Sequence, residues 1–372
     1  MCMQMYEFWL HFPNNSIFYF VVLFLFDTIL SMKTIKVGIN GFGRIGRIFL
    51  RLAWERPELE VVAVNDLSNV ENLAYLLKHD TVYKTWDKDV KSDEHHIIVE
   101  GKSIKVLTEK EPNKLPWKDL GVDVVVEATG FFNTYEGSKL HLEAGAKKVV
   151  VTAPMKDEPV GVKGATVLMG VNEEKLKVCD ITSNASCTTN SVSPVIAILH
   201  ETLGIEKALL NTTHALTNSQ PTVDSISKKD FREGRAGAYN MIPSSTGAAI
   251  AVTKAFPDLE GMFDGIAVRV PVIAGSIADI TFISKKETTK EEVNKILKDA
   301  AKEKRWQGIF TTTEEALVSS DILGSPYGSI ADLALTRVVG GNLVKVMAWY
   351  DNEMGYTYTL VDHVIKTGEK LK

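Results

Sequence analysis

The sequence predicts an α/β protein organised around a doubly wound parallel sheet, and three observations predict it. A short apolar strand pattern, Thr34 to Ile39, runs straight into Asn40-Gly41-Phe42-Gly43-Arg44-Ile45-Gly46-Arg47, and an amphipathic helix follows through Ile48, Leu50, Leu52 and Trp54. A second strand pattern, Glu60 to Asn65, ends on Asp66, which lies 66 − 46 = 20 residues after the last glycine of that turn. A third, the aliphatic run Val122 to Val126, has the character of a parallel strand buried on both faces.

Each element carries its own justification. Gly41, Gly43 and Gly46 have the Gly-x-Gly-x-x-Gly spacing. Between a strand and a helix, those glycines permit a tight turn and the close approach of a pyrophosphate to the helix N-terminus. Pro57 ends the helix region. Asp66 is placed to accept hydrogen bonds from adenosine ribose hydroxyls, and its charge repels a 2′-phosphate, which favours NAD over NADP. Val70 to Leu77 is expected as a helix, and Ile97–Val99 with Ile104–Leu107 as a strand pair. The aliphatic strand ends in Glu127-Ala128-Thr129-Gly130, a small polar turn at the strand end where such sheets place ligands. A helix over Tyr135–Ala144 and a strand over Lys148–Thr152 complete the alternation.

Composition sets bounds on the rest. The chain has 372 residues, a net charge of -5, 24% charged residues and 45% hydrophobic residues, ordinary globular values with room for two domains. It is not basic enough to imply a nucleic-acid partner. Three cysteines (Cys2, Cys179, Cys187) are too few and scattered for a disulfide framework or a structural metal site, so a reducing, cytoplasmic setting is expected. Residues 1–31 differ from everything after them. Their apolar run, Ile17 to Leu30, carries Asp27, and no Lys or Arg precedes Lys33. A spanning helix needs about 20 apolar residues, and a secretory leader needs a basic start and a small-residue cleavage site. The expectation is that translation begins at Met32 and that no membrane is involved, with a membrane-proximal anchor as the alternative.

Cys187 stands out chemically. It sits in Ser183-Asn-Ala-Ser-Cys-Thr-Thr-Asn190, ahead of Val192, Val195, Ile196, Ile198 and Leu199 at roughly helical spacing. A cysteine at a helix N-terminus meets unpaired N–H groups and a favourable dipole, which stabilise the thiolate that attacks carbon. A lone cysteine is also often a small core residue, but Ser186, Thr188, Thr189 and Asn190 are a poor lining for a core. A strand over Ala208–Thr213 delivers His214, 214 − 187 = 27 residues on, enough for a helix and a returning strand. A thiol with an imidazole is what covalent attack on a carbonyl requires.

Downstream, Asn218 to Asn240 is polar and irregular, holds Lys228, Lys229, Arg232 and Arg235, and is too long for a plain connector. Ser244-Ser245-Thr246-Gly247-Ala248 opens a helix with a hydroxyl-rich turn suited to phosphate. Arg269 lies inside an otherwise apolar strand, Gly265 to Pro271, and a buried arginine needs an anion, either a structural carboxylate or a substrate phosphate. Strands over Asp279–Ser284 and Leu343–Tyr350 flank a helix at about Lys290–Lys304, and a last helix follows Trp349–Tyr356.

Taken together, Asn40–Arg47, Ser183–Asn190, Thr213-His214-Ala215-Leu216-Thr217, Ser245–Ala249, Arg269-Val270-Pro271 and Trp349–Tyr356 resemble the phosphorylating glyceraldehyde-3-phosphate dehydrogenases. The likeness runs from Met32 to Lys372. It implies a Rossmann NAD-binding domain over 32–186, a catalytic α+β domain with a mixed sheet over 187–351, and a helix over 352–372 that returns to the first domain. It implies attack by Cys187 on the aldehyde with His214 as base, hydride transfer to NAD, a thioacyl enzyme, and its release by inorganic phosphate as 1,3-bisphosphoglycerate. The substrate phosphate maps onto Thr217 and Arg269, and inorganic phosphate onto Ser186, Thr188, Thr246 and Gly247. Cofactor contacts map onto Arg44 and Ile45 at the pyrophosphate, Asp66 at the ribose, Thr129 and Thr152 near the nicotinamide, Asn352 at its carboxamide and Tyr356 at its ring. The Asn218–Asn240 stretch corresponds to a loop lying against a neighbouring subunit, which implies a homotetramer. The alternative is a related dehydrogenase of a phosphorylated aldehyde such as erythrose 4-phosphate. Ser191 stands where many members carry a second cysteine, so oxidised Cys187 is expected to lack a resolving thiol. Ile250 stands where lysine is common, and Ser225-Ile226 where NAD-specific members often have Leu-Pro, which leaves room for some use of NADP.

Overall fold

The computed structural model describes residues 34–227 and 230–371, so the expectations for residues 1–31 and for Lys228 and Lys229 lie outside the described residues. Two sheets organise the chain. The first contains β1 (Ile35–Asn40), β2 (Leu59–Asn65), β3 (Val90–Ser92), β4 (His96–Val99), β5 (Lys102–Leu107), β6 (Val124–Glu127), β7 (Lys148–Val151), β8 (Gly164–Thr166) and β9 (Ile181–Ser183). Their spatial order is β3-β4-β5-β2-β1-β6-β7-β9-β8. All neighbours run parallel except β3–β4 and β4–β5, which form an antiparallel edge.

The order reverses direction at β1, between β2 and β6, and the loops leaving the carboxyl ends of these strands open a crevice there. Helices α1 (Arg44–Ala53), α2 (Val70–Lys78) and α3 (Tyr135–Glu143) connect the parallel strands. Asn69 and Thr134 cap α2 and α3 by accepting from N–H groups three residues on.

The second sheet is mixed. It contains β10 (Ile205–His214), β11 (Ile242–Ser245), β12 (Phe263–Arg269), β13 (Ser276–Ser284), β14 (Phe310–Thr313), β15 (Ser329–Val339) and β16 (Leu343–Tyr350), in the order β11-β12-β10-β13-β16-β15-β14. Parallel pairing joins β10 to β12 and β14 to β15, and the remaining pairs are antiparallel. Helices α4 (Cys187–Thr202), α5 (Ala248–Thr253) and α6 (Lys290–Ala300) pack on it through Val192, Val195, Leu199, Val252, Val293 and Leu297. Helix α6 stops at Ala300, short of the expected Lys304, and a 3-10 turn at Lys304–Trp306 then carries Trp306 into the core.

The closing helix α7 (Met354–Glu369) leaves the second sheet and packs on the first. Leu360, Val361, Val364 and Ile365 join Ile35, Val37 and Phe49 in one buried cluster. A methyl group on Gly368 would come within 2.5 Å of the Ile35 side chain, so the helix end is seated against β1.

Candidate active site

A crevice of about 1380 Å³ runs from the carboxyl edge of the first sheet to the N-terminus of α4. Gly41, Gly43, Arg44, Ile45, Asp66, Thr129, Thr152, Ser186, Cys187, His214, Thr217, Arg269, Asn352 and Tyr356 all line it. Gly46, Thr188, Thr246 and Gly247 are outside its lining.

The three glycines of the first turn divide the work. Gly41 has φ +94, and a side chain there would meet Thr129 N at 2.6 Å. A Cβ on Gly46 would strike the Gly41 carbonyl oxygen at 2.2 Å, so this glycine lets α1 sit against the turn. At Gly43 a Cβ would meet nothing within 4 Å. The space over Gly43 adjoins the start of α1, whose first turn has no side-chain cap. A phosphate group fits that opening, with helix N–H groups to receive it. The Arg44 guanidinium is occupied elsewhere: it pairs with Asp80 and Glu353, which hold it more firmly protonated than usual despite its burial. What this residue can offer a pyrophosphate is therefore its main chain. Asp66 Oδ2 accepts from Phe42 N at 2.9 Å and Oδ1 from Ser68 N at 3.0 Å, which aims the carboxylate from the end of β2 into the crevice.

At the other end stands the thiol. Cys187 is the first residue of α4, and Ser186 caps that helix by accepting from Thr189 N at 3.1 Å. The residue before the cap, Ala185, is fully buried and has φ 55, a left-handed conformation unusual for any residue but glycine. Tyr356 fixes it, with its hydroxyl donating to the Ala185 carbonyl at 3.1 Å. Asn190 Nδ2 donates to Asn184 O at 2.7 Å and so ties the turn from the other side.

Cys187 Sγ lies 3.4 Å from His214 Nε2, so the helix and the returning strand do bring the pair together. The electrostatics differ from the expectation of a lowered thiol pKa. Burial pushes the Cys187 thiol above its usual value, against the opposing pull of Arg269 and of hydrogen bonds from Thr188. Burial, helped by the Arg269 charge, lowers His214 to about 3. The free site therefore holds a thiol and a neutral imidazole.

His214 Nδ1 lies 2.7 Å from Ala215 O and also touches Arg269 Nη1. One nitrogen cannot both donate to a carbonyl and accept from a guanidinium. The tautomer with hydrogen on Nδ1 leaves Nε2 free to face the thiol, and it needs Arg269 engaged elsewhere. Arg269 Nη1 also donates to Ala215 O at 3.0 Å, its buried Nε lacks a partner, and among the described residues no carboxylate pairs with it. Of the two partners expected for this arginine, the structural carboxylate is absent and the place for an anion is open.

Thr217 faces the same space, its N–H and hydroxyl donating to Gln220 Oε1 at 3.2 and 3.3 Å. Asn352 Oδ1 accepts from Gly275 N at 3.0 Å and from Ser276 Oγ at 3.1 Å, so its amide N–H groups are what it can offer a ligand. The Thr188 hydroxyl also bonds the Tyr350 hydroxyl, 2.9 Å away. Thr246 and Gly247 follow the edge strand β11, where the Thr246 hydroxyl accepts from Ala248 N at 3.2 Å. Of the four residues expected at an inorganic-phosphate site, the crevice gathers only Ser186. Ser191 is fully buried and its hydroxyl has no hydrogen-bond partner.

Reading by residue type did not single out Asn40, Asn65 and His141. Asn40 and Asn65 are buried at strand ends and His141 is buried on α3, and their only signal is polarity at positions that face the core.

A doubly wound sheet whose crevice ends on a thiol and an imidazole fits the class of nucleotide-dependent dehydrogenases. Comparison with known proteins narrows the class. Residues 35–135 match the family described as glyceraldehyde 3-phosphate dehydrogenase, NAD binding domain, and residues 186–352 match its C-terminal domain. A glyceraldehyde-3-phosphate dehydrogenase of Thermotoga maritima is 51% identical over 88% of this chain and 97% of its own length. One from Streptomyces coelicolor is 47% identical over 91% of this chain and 100% of its own, and glyceraldehyde-3-phosphate dehydrogenase B of Aspergillus oryzae is 45% identical over 88% and 97%. The chain belongs to the glyceraldehyde-3-phosphate dehydrogenase family, and its cofactor is NAD.

Proposed function

We propose that this enzyme oxidises D-glyceraldehyde 3-phosphate to 1,3-bisphosphoglycerate through a thioacyl intermediate on Cys187. The observation that carries the reading is the thiol–imidazole contact of 3.4 Å beside an arginine with no carboxylate partner among the described residues. The substrate phosphate takes Arg269 and Thr217, which draws the guanidinium off His214. With that charge neutralised, the imidazole becomes a stronger base and Nδ1 donates to Ala215 O. Nε2 then accepts the Cys187 proton as Sγ bonds to the aldehyde carbon and the carbonyl pair moves to oxygen. His214 returns that proton to the oxyanion, which gives the hemithioacetal hydroxyl, and takes it back as the carbon loses its hydride and becomes the thioester. When bound, NAD supplies the hydride acceptor. A phosphate oxygen attacks the thioester carbon, and Sγ leaves as thiolate at the N-terminus of α4, where the helix dipole favours it.

For the cofactor, main-chain groups of Arg44 and Ile45 hold the pyrophosphate over Gly43, supported by the open space there. Gly41 and Gly46 shape the turn, Asp66 takes the ribose hydroxyls and disfavours a 2′-phosphate, and Thr129 and Thr152 border the nicotinamide half. Asn352 donates to the carboxamide and Tyr356 backs the ring. Inorganic phosphate is received beside Ser186, with Thr188 N–H and the Thr246–Gly247 turn as its further contacts. The reading puts the enzyme in the cytoplasm, where its thiol stays reduced.

We also infer a homotetramer. The Asn218–Asn240 stretch exposes Ile226 at 95%, Phe231 at 90% and Tyr239 at 89%, and the second sheet exposes Leu209 and Ile266 on its outer face. Apolar groups so exposed fit burial against other copies of the chain. Analytical ultracentrifugation giving a monomer at micromolar concentration would remove this inference.

The activity is tested by following NADH formation from glyceraldehyde 3-phosphate, with and without inorganic phosphate. Phosphate-dependent turnover is expected, and Cys187→Ser should abolish it while NAD still binds. Turnover indifferent to phosphate, or higher kcat/KM for erythrose 4-phosphate, overturns the reading.

A further inference from the structure

A line of polar groups crosses the carboxyl edge of the first sheet along the floor of the crevice, which Asn40, Asn65 and Glu109 themselves line. It begins at Glu109, whose N–H donates to Asn65 Oδ1 at 2.8 Å and whose carbonyl accepts from Asn65 Nδ2 at 2.8 Å. Asn65 Nδ2 also donates to Asn40 Oδ1 at 2.7 Å, and Asn40 Nδ2 donates to Glu127 Oε2 at 2.6 Å. His141 Nε2 meets the same oxygen at 3.0 Å, and Trp117 Nε1 donates to His141 Nδ1 at 3.0 Å. Indole N–H can only donate, so Nδ1 accepts and Nε2 carries the hydrogen given to Glu127. The His141–Glu127 contact is thus a hydrogen bond donated by a neutral ring to the carboxylate. The other oxygen, Oε1, accepts from Thr129 N at 2.8 Å and from the Thr129 hydroxyl.

Four donors converge on one carboxylate that is 2% exposed. They satisfy its acceptor sites in the ionised form, which is what permits a charge to be buried there. The position of the line gives it a role. Asn40 ends β1 and precedes Gly41, Asn65 ends β2 and precedes Asp66, and Glu127 ends β6 and leads to Thr129. Each anchor stands one or two residues from a group that faces the crevice. Gly41 packs against the Ala128–Thr129 main chain so closely that the two turns share one arrangement.

We propose that Glu127 is a positioning residue for the cofactor: its carboxylate locks the glycine turn and the Thr129 turn together, so that the crevice is preset for the dinucleotide. The proposal rests on the crevice being the NAD site. Preset groups bind without paying ordering entropy at the moment of association, so the effect belongs in NAD affinity and not in the chemical step.

Glu127→Gln keeps the shape and turns one oxygen into a donor. Whichever way the amide faces, a donor then meets either Thr129 or the Asn40–His141 pair. The expected result is NAD binding weaker by about tenfold, equal to ~1.4 kcal/mol, with kcat at saturating NAD within about twofold. His141→Gln, which can still donate to Glu127 and accept from Trp117, should bind NAD nearly as wild type does. NAD titration by tryptophan fluorescence reads affinity, and thermal unfolding without cofactor reads the fold separately. Wild-type protein that fails to bind NAD overturns the cofactor reading itself. Wild-type binding with Glu127→Gln affinity within twofold overturns only the present proposal, as does a variant that loses thermal stability or kcat but keeps its NAD affinity. Should Glu127→Gln not fold, His141→Leu leaves Glu127 one donor short, and unchanged NAD affinity in it overturns the proposal equally.

Discussion

Cys187 and His214 sit 3.4 Å apart as a thiol and a neutral imidazole, because burial disfavours charge on both and Arg269 adds to the effect on the ring. A raised thiol pKa puts the thiolate on the alkaline side. Alkylation of the free enzyme by iodoacetamide should therefore be slow at neutral pH and still be rising above the ordinary cysteine value of about 8.5. A rate that is already level below neutrality would show an ion pair instead. The second residue-scale prediction concerns Asp66. Asp66→Asn retains an acceptor for Phe42 N but removes the charge, so kcat/KM for NADP should rise relative to NAD by about tenfold, ~1.4 kcal/mol, without loss of stability. A third concerns oxidation. With Ser191 in place of a nearby thiol, peroxide should carry Cys187 to sulfinic acid, and mass spectrometry finding a thiol-reversible disulfide would refute this. The thiol and the imidazole were legible in the sequence because their chemistry is scarce and their neighbours unsuited to a core. Glu127 was legible only as the start of a polar turn, since its distant partners come from β1 and α3, and the α3 partner, His141, is itself held by Trp117.

Among the elements, α4 does most to place the chemistry. Its N-terminus receives Cys187 because Ala185 adopts φ 55 and Tyr356, on α7, holds its carbonyl. A β-branched side chain cannot take that conformation without strain of about 1–3 kcal/mol. Ala185→Val should thus lower the melting temperature and reduce kcat, while Ala185→Gly should fold normally. Equal kcat in Ala185→Val and wild type would mean that this turn does not aim the thiol. The strands with long apolar runs were readable from their pattern. β15, of 11 residues, escaped the reading despite its length, and the short strands β3, β8, β9, β11 and β14, of 3, 3, 3, 4 and 4 residues, were not readable. A strand so brief has no periodicity of its own, and its existence depends on the neighbour it pairs with.

At the scale of the molecule, α7 ties the last residues of the chain to the first sheet and to the thiol. His363, fully buried on it, approaches Asn184 Oδ1 at 3.0 Å and Thr182 Oγ1 at 2.8 Å. Burial and Lys366 lower His363 to about 3, as burial and Arg269 do His214. Unfolded histidine titrates near 6.5. Between that value and about 3 the unfolded chain binds protons that the folded one refuses, so stability falls as pH is lowered through this window. Each group contributes a slope of about 1.4 kcal/mol per pH unit there. The melting temperature should drop steadily below pH 6.5, and His363→Gln should make the drop shallower. A melting temperature flat from pH 7 to pH 4.5 would count against both buried histidines.

Residue type and local spacing are enough to specify the turn chemistry of the first sheet, the acidic residue after β2, and the thiol and imidazole of the crevice. How the charges settle is a matter of long-range packing. Whether Cys187 is a thiol, whether Arg269 has a carboxylate, and whether Glu127 is satisfied depend on groups far apart in the chain and on the water excluded between them. Tertiary structure also decided that Thr246 and Gly247 lie at a sheet edge, because the register of β11 on β12 is set by pairing that no local pattern encodes.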